Sequence, residues 1–586
     1  MAGALRGLSP RPVRRGGRRS APARPGLLRH VPALTLALFL VPIAAGLIGT
    51  WLPAFGYLPA LGGEAFGLAP WRALLGHPSL PGAVRLSLTS GLLATALSFA
   101  LVVGFVAACH GTRMFARLRR LLAPVLGVPH VALAIGFAFL IAPSGWIARL
   151  VSPWPSGWST PPDVAVIQDP YALALTFALV VKEVPYLLLM TLAALDQSQA
   201  SERLAVARSL GYGPVVGWLK TVLPAVYPQI RLPVYAVLAF SLSVVDMALV
   251  LAPLTPPPLA VLVFRWFNDP DLAMRFPAAA GAALQFVLVV GAIGLWHGLE
   301  RLAARLGRRW VAGGSRGGDG RLARTAAAGA MGLLYAAATA SVAALAAWSL
   351  TARWRYPDAL PSAWTLDNWA RQVGGLQWAA TTTLVVGIAA AAVALALVLG
   401  CLENETRRGL RTSSRALWLL YTPLLVPQVG FLFGAEVLAV RLGIDGTWTA
   451  LVWSHLLFVL PYVFLSLADP YRSLDERYAR AALCLGASPG RVFWRVKLPM
   501  LLRPVSFALA VGFAVSVAQY LPTVFAGGGR FVTLTTEAVA LTAGADRRVV
   551  GVYAFLQTVL PLAAFAGALA APGWAFRHRR TLRGTP

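Results

Sequence analysis

Twelve apolar stretches recur along this chain of 586 residues, and each is long enough to cross a lipid bilayer as a helix. Hydrocarbon admits only segments that satisfy their own backbone hydrogen bonds, so these stretches are expected to be helical. With 58% apolar and 12% charged residues, the chain is predicted to be an all-α polytopic membrane protein, and a soluble fold is excluded. The predicted spans are residues 31–52, 86–109, 121–142, 171–195, 232–252, 277–299, 325–350, 379–402, 416–440, 448–468, 505–525 and 551–571.

A polar break separates the spans into two groups of six. Residues 301–325 contain the sequence GGSRGGDG and are rich in Arg, which predicts a flexible linker. The sequence therefore predicts a first half at residues 31–300 and a second half at residues 326–572. The Arg-rich segment at residues 1–30 is predicted to be a disordered basic tail, and residues 573–586 form a second tail.

The basic residues orient the chain in the membrane. The net charge is +29, but 38 of the 51 Lys and Arg residues lie in the two tails, the linker and alternate loops. By the positive-inside rule this set of segments faces the cytosol, and both termini are therefore predicted to be cytosolic. The charge is explained by topology, so nucleic acid is excluded as a partner.

Two cytosolic loops repeat each other. Residues 204–224, here called the first repeat loop, and residues 479–499, the second repeat loop, share several residues at a constant offset. In each loop a short helix is predicted to end at a left-handed Gly, and a Pro begins a second helix at the membrane surface, which Leu-Pro then ends. Because each half has an even number of spans, the halves are predicted to be parallel. Other matched residues are Ser87 with Thr383, Gly136 with Gly434, and Tyr186 with Tyr462.

Both repeat loops resemble the EAA loop of binding-protein-dependent ABC importer permeases. In the first loop, Ala207, Gly211, Leu223 and Pro224 match that motif, and in the second Ala481, Ala482, Gly486, Leu498 and Pro499 do. The motif's Glu is replaced by Ala205 and Arg480, and Glu202 and Glu476 lie upstream as candidate substitutes.

The resemblance covers nearly the whole chain beyond the first tail. It is closest to fused, double-length permeases of the iron(III) and thiamine types, and the stretches at residues 240–253 and 519–541 look most like the YnjC type. It implies two parallel six-helix halves with the type I ABC importer permease (MetI-like) fold, located in a bacterial inner membrane.

The resemblance also implies partners. Two copies of an ABC ATPase subunit would bind the helices that end at Leu210 and Leu485, and a periplasmic binding protein would deliver a small solute. The alternative is that both helices are ordinary amphipathic helices on the lipid surface.

ATP is expected to bind the partner subunit, so no cofactor is expected in this chain. Its only lysines are Lys182, Lys220 and Lys497, and the one Lys-Thr pair follows Leu219 rather than Gly, so no phosphate-binding P-loop exists. There is also no metal-ligand spacing and no nucleophile motif, and the chain is not predicted to be an enzyme.

Polar residues within the spans are candidates for the translocation pathway, because they are costly in hydrocarbon. Asp246 and Gln519 each lie three residues after a Ser in the fifth span of their half, and the family resemblance places that span at the pathway. The alternative is an interhelical hydrogen bond. An acidic Asp246 would favour a cationic solute such as thiamine or a metal. Lys182 is interpreted as a local pair with Glu183 or as lipid-facing.

A second function remains open at this stage. Secondary transporters also often contain twelve helices in two parallel halves. They would have no use for matched cytosolic docking loops, which favours the ABC importer permease.

Overall fold

A computed structural model describes residues 27–410, 414–575 and 577. Apart from one two-stranded antiparallel ribbon, β1 (Thr351–Arg353) with β2 (Ala363–Trp364), its regular structure is helical. Within these described residues, 10 helices are long and apolar enough to cross a membrane, or up to 11 if a bent pair is counted as one span. The fold is therefore a polytopic helical membrane protein, and the described residues contain 10 or 11 continuous candidate spans where the sequence predicts twelve.

The first half begins with a 3-10 turn at Leu27–His30, and most of the basic tail before it lies outside the described residues. Its helices are α1 (Val31–Ala54), α2 (Ala69–Leu75), α3 (Leu80–Cys109), α4 (Arg113–Leu126), α5 (His130–Ile141), α6 (Trp146–Leu150), α7 (Leu173–Gln197), α8 (Ala200–Ser209), α9 (Pro214–Thr221), α10 (Leu223–Ser243), α11 (Asp246–Leu251), α12 (Leu259–Phe267) and α13 (Arg275–Ala312).

The second half follows a short non-helical segment at residues 313–320, and most of the tail after it also lies outside the described residues. Its helices are α14 (Arg321–Ser349), α15 (Asp367–Arg408), α16 (Ser414–Leu425), α17 (Leu432–Arg441), α18 (Trp448–Arg472), α19 (Glu476–Cys484), α20 (Pro489–Val492), α21 (Leu498–Met500), α22 (Leu502–Val517), α23 (Leu521–Gly527), α24 (Leu534–Leu541) and α25 (Arg547–Ala575).

Two predicted spans are broken at matching prolines. Pro129 precedes α5, so the predicted span at 121–142 is divided between α4 and α5. The candidate span begins at His130 and includes α5 and α6, as far as Leu150. Pro427 separates α16 from α17, which have 12 and 10 residues and are each too short to span. Proline removes a backbone donor and holds the preceding residue out of helical geometry, which explains both breaks.

The first helix of each half packs against the other half. Helix α1 lies against α17, and α14 lies against α5 and α3. Both contacts are made at glycines: a Cβ on Gly434 would lie 2.1 Å from the Gly46 carbonyl oxygen, and a Cβ on Gly136 would lie 2.4 Å from the Ser341 carbonyl oxygen. The matched pair Gly136 and Gly434 is thus where the two halves interlock.

A second structural detail repeats between the halves. The backbone N–H of Leu259 donates to Ser87 Oγ at 2.9 Å, and that of Leu534 donates to Thr383 Oγ1 at 2.9 Å. Leu259 and Leu534 are the first residues of α12 and α24, where backbone donors have no partner within the helix. The match between Ser87 and Thr383 in the sequence therefore corresponds to one hydrogen bond formed twice.

The glycine contacts generate a prediction about stability. Gly434→Val and Gly136→Val each place a side chain against backbone of the other half, and each is expected to lower the free energy of unfolding by about 1–3 kcal/mol. Thermal unfolding of the detergent-purified chain, followed by tryptophan fluorescence, measures this. The matched control is Gly291→Val, on an open face of α13 with no atom within 4 Å of the new Cβ. Equal melting temperatures for Gly434→Val and Gly291→Val would contradict the interlock.

Candidate functional site: two repeat loops and two helix breaks

The first repeat loop has the predicted helix–turn–helix form. Helix α8 is followed by Gly211, whose φ of 81° lies in the left-handed region that glycine adopts without strain. Gly213 then precedes Pro214, the first residue of α9. Gly217 of α9 packs against Ala207 of α8, which holds the two helices together.

The second repeat loop has the same turn but a longer path back to the membrane. Gly486 has a φ of 83°, and Ser488 Oγ accepts the backbone N–H of Arg491 to cap α20. The chain then continues through a π-helical turn at Phe493–Lys497 and through α21, and it bends by 77° at Leu501 before α22. The prediction that Leu498-Pro499 ends this helix is therefore wrong by two residues. In the first loop α9 does end just before Leu223-Pro224.

The candidate loop residues divide by exposure. Those on the surface face away from the bundle, and the others pack the loops onto it. The exposed set is Glu202, Ala205, Leu210, Gly211, Pro224, Glu476, Ala481, Leu485 and Gly486, and the buried or half-buried set is Ala207, Leu223, Ala482, Leu498 and Pro499.

Large apolar side chains are among the exposed residues. Leu485 is 88% exposed, and helix α19 buries none of its residues. The first loop exposes Leu210 at the matching position, together with Val206. Apolar side chains gathered at loops on the charged side of a membrane protein are typical of a protein–protein contact.

An ionic cluster fixes the second loop to the bundle. Glu403, 4% exposed near the C-terminal end of α15, accepts from Lys497 Nζ at 2.6 Å and from Arg407 Nε at 2.7 Å. Tyr471 also donates to Glu403, and Arg407 donates to the Pro489 carbonyl oxygen at 3.2 Å. The sequence analysis missed this cluster, because residues 94 positions apart leave no local pattern. A force applied to this loop would pass directly to α15 and α18.

The structure places Asp246 and Gln519 at matching helix breaks. Helix α10 ends at Ser243 and α11 begins at Asp246, and α22 ends at Val517 while α23 begins at Leu521, so Gln519 lies within the break. Transporters commonly form their binding sites at discontinuous helices of this kind.

A glutamine of the last helix in each half supports a carbonyl freed at these breaks, directly in the first half and through a threonine in the second. Gln285 Nε2 donates to the Leu242 carbonyl oxygen at 3.1 Å. In the second half Thr535 donates to the Val517 carbonyl oxygen and accepts from Gln557 Nε2 at 2.7 Å. Gln285 and Gln557 therefore have the bundle-holding role that was the alternative for Asp246 and Gln519.

Asp246 and Gln519 make only local hydrogen bonds among the described residues. Asp246 Oδ1 accepts the N–H of Met247 at 2.8 Å, and Gln519 Nε2 donates to the Val515 carbonyl oxygen at 3.2 Å. Asp246 is within electrostatic range of Tyr520 from the other half. The ring of Tyr520 also packs against Phe264 of α12, with ring centroids 5.9 Å apart, so the break of the second half lies against the first half.

Lys182 is a buried cation beside the equally buried Glu183, which agrees with the predicted local pair, and its burial contradicts the lipid-facing alternative. It is 8% exposed, and its Nζ donates to the Val128 carbonyl oxygen at 2.5 Å and to the Leu126 carbonyl oxygen at 3.3 Å. It thus satisfies the backbone break between α4 and α5.

Comparisons with known proteins agree with the class that the fold and the two repeat loops indicate, a polytopic membrane permease. Residues 392–571 match the family model described as binding-protein-dependent transport system inner membrane component. The inner membrane ABC transporter permease protein YnjC of Escherichia coli K12 is 35% identical over 526 residues, which cover 89% of this chain and 93% of YnjC. The molybdenum transport system permease protein ModB of Mycobacterium tuberculosis is 34% identical over 170 residues, covering 27% of this chain and 61% of ModB.

The chain belongs to the family of binding-protein-dependent ABC transporter permeases. It is a multi-pass protein of the inner membrane and the permease component of such a transport system, so it is a transporter rather than an enzyme. In this family ATP is hydrolysed by a separate ATPase subunit, and a binding protein is the second partner. The secondary-transporter alternative is set aside.

Proposed function

We propose that this single chain supplies both halves of a type I importer, that its two repeat loops dock two copies of an ABC ATPase, and that a small solute from a periplasmic binding protein crosses between the halves. Residues 31–300 and 326–572 act as the two permease halves, with the linker at 301–325 and both tails in the cytosol. The observation that carries the proposal is the pair of equivalent Gly turns at Gly211 and Gly486, each following an exposed apolar residue.

The proposed mechanism is mechanical. Closure of the ATPase dimer on nucleotide binding would displace the two repeat loops together. The second loop transmits this movement through Lys497 and Glu403 to α15. Because α1 and α14 are each packed on the opposite half, the halves would rotate against each other as interlocked bodies. The breaks at Asp246 and Gln519 lie on the boundary that such a rotation opens.

The twelve-span topology is part of the proposal. In the second half, α16 and α17 occupy the place that α4 and α5 have in the first, although Pro427 interrupts them. Counted in this way, each half crosses the membrane six times. The repeated bonds from Leu259 and Leu534 support the equivalence of the two halves.

Docking of the ATPase is tested with charged substitutions at the exposed apolar positions. Leu210→Asp together with Leu485→Asp is expected to reduce the amount of co-expressed ATPase that co-purifies with the chain by about ten-fold, because an unpaired carboxylate would be buried in the contact. The matched control is Leu360→Asp, which is 61% exposed in the β1–β2 connection. Full retention of the ATPase by the double variant would refute docking at these loops.

The pathway assignment is tested without knowledge of the solute. In a chain whose three native cysteines are replaced by Ser, Asp246→Cys and Gln519→Cys are expected to react with a small charged methanethiosulfonate reagent about ten-fold faster than Val287→Cys. Val287 is an exposed apolar residue on α13, and a thiol facing lipid does not form the reactive thiolate. If all three cysteines react at the same slow rate, Asp246 and Gln519 do not line a water-accessible pathway.

A further inference from the structure

The linker between the halves is seated on the first repeat loop. The N–H of Gly213, in the turn of that loop, donates to the carbonyl oxygen of Arg316 at 2.8 Å. Lys220 Nζ, from α9, donates to the carbonyl oxygen of Ser315 at 2.8 Å and to its Oγ at 3.3 Å. The segment at residues 313–320, which the sequence predicts to be flexible, is therefore hydrogen-bonded at two adjacent residues.

Lys220 makes this contact from a buried position. It is 7% exposed, and within the described part of the chain it has no carboxylate partner. The ring centroids of Trp310 and Tyr212 lie 4.7 and 5.3 Å from its Nζ. A buried ammonium group needs partners for its three donors, and aromatic faces supply only part of that stabilisation. Ser315 of the linker is thus the hydrogen-bonding partner that makes burial of Lys220 tenable.

The glycines of the linker fit the surface of α9. A Cβ on Gly317 would lie 2.4 Å from Val216 Cγ2, and a Cβ on Gly320 would lie 3.0 Å from Val215 Cγ2. From the other side, a Cβ on Gly213 would lie 2.1 Å from the Gly318 carbonyl oxygen. The close approach requires glycine on both surfaces, which is a property of a packed contact and not of a free tether.

Among the residues that the structure describes, none covers Gly486 of the second repeat loop in the way that the linker covers the first loop. A Cβ added at Gly486 would have no atom within 4 Å. A Cβ added at Gly211 would lie 3.5 Å from Nη1 of the Arg316 guanidinium. The buried lysine of the second loop, Lys497, is held by Glu403 of its own half. The two loops therefore have the same turn but present different surfaces, and Arg316 adds a cation beside Gly211.

We infer that the linker is a fixed part of the first docking surface: Lys220 and Gly213 hold it in place, and Arg316 offers its guanidinium beside Gly211 to an acidic group on one ATPase subunit. The two ATPase sites are then chemically inequivalent even when the two ATPase copies are identical. The inference rests on the proposed docking role of the repeat loops, and Lys220 acts in it as a positioning residue.

The seating of the linker is tested on the full purified chain without any partner. Trypsin cleavage after Arg316, identified by fragment mass, reports how often the linker leaves the loop. Lys220→Met is expected to accelerate this cleavage at least about ten-fold, and Lys220→Arg, which keeps the cation and its donors, is expected to restore slow cleavage. Lys497→Met is the matched control and should leave the rate unchanged. An unchanged rate in Lys220→Met overturns the seating and leaves ATPase docking untouched.

The docking surface is tested by cross-linking to the co-expressed ATPase from Leu210→Cys and, separately, from Leu485→Cys. Arg316→Glu is expected to weaken the cross-link from position 210 about five-fold and to leave the cross-link from position 485 unchanged. Equal cross-linking with and without Arg316→Glu overturns the role of Arg316. If neither position gives a cross-link in the chain with native Arg316, the docking role of the repeat loops is wrong, and this inference is wrong with it. The trypsin experiment still reports whether the linker is held on the first repeat loop.

Discussion

Backbone groups inside hydrocarbon must find partners within the protein, and the architecture follows from this constraint. Where α10 and α22 end within the bundle, the carbonyls of Leu242 and Val517 are reached by Gln285 directly and by Gln557 through Thr535. Where α4 ends, Lys182 performs the same task. Helices can therefore end in the interior of the bundle. In the proposed function, the solute pathway passes these breaks.

The helical class and the turns of the repeat loops could be predicted from the sequence, because these depend on local signals. A glycine before a Gly-Pro or Ser-Pro pair is sufficient to predict the left-handed turns seen at Gly211 and Gly486. Long-range partners were not predictable: nothing near Lys497 indicates Glu403, and nothing near Lys220 indicates Ser315. The interruption of one predicted span was not predictable either: Pro427 separates α16 from α17, so the described residues contain 10 or 11 continuous candidate spans.

The halves are similar in fold but not in how their loops are supported. In the second half the loop is anchored by an ionic cluster to α15 and α18, whereas in the first half it is anchored by the linker. Fusion of two halves into one chain creates this difference, because only one linker exists to lie on one loop. The glycine contacts of α1 and α14 meanwhile bind the halves together, so that a displacement of either loop acts on the whole bundle.

The central claim is that the repeat loops face the cytosol and carry the ATPase, and native Cys484 tests it most directly. This residue is exposed on α19, while Cys109 is buried and Cys401 can be replaced by Ser. A membrane-impermeant maleimide is predicted to label Cys484 in inside-out vesicles and not in right-side-out vesicles, and bound ATPase is predicted to protect it. Labelling from the periplasmic side, or labelling that bound ATPase does not change, would contradict the account.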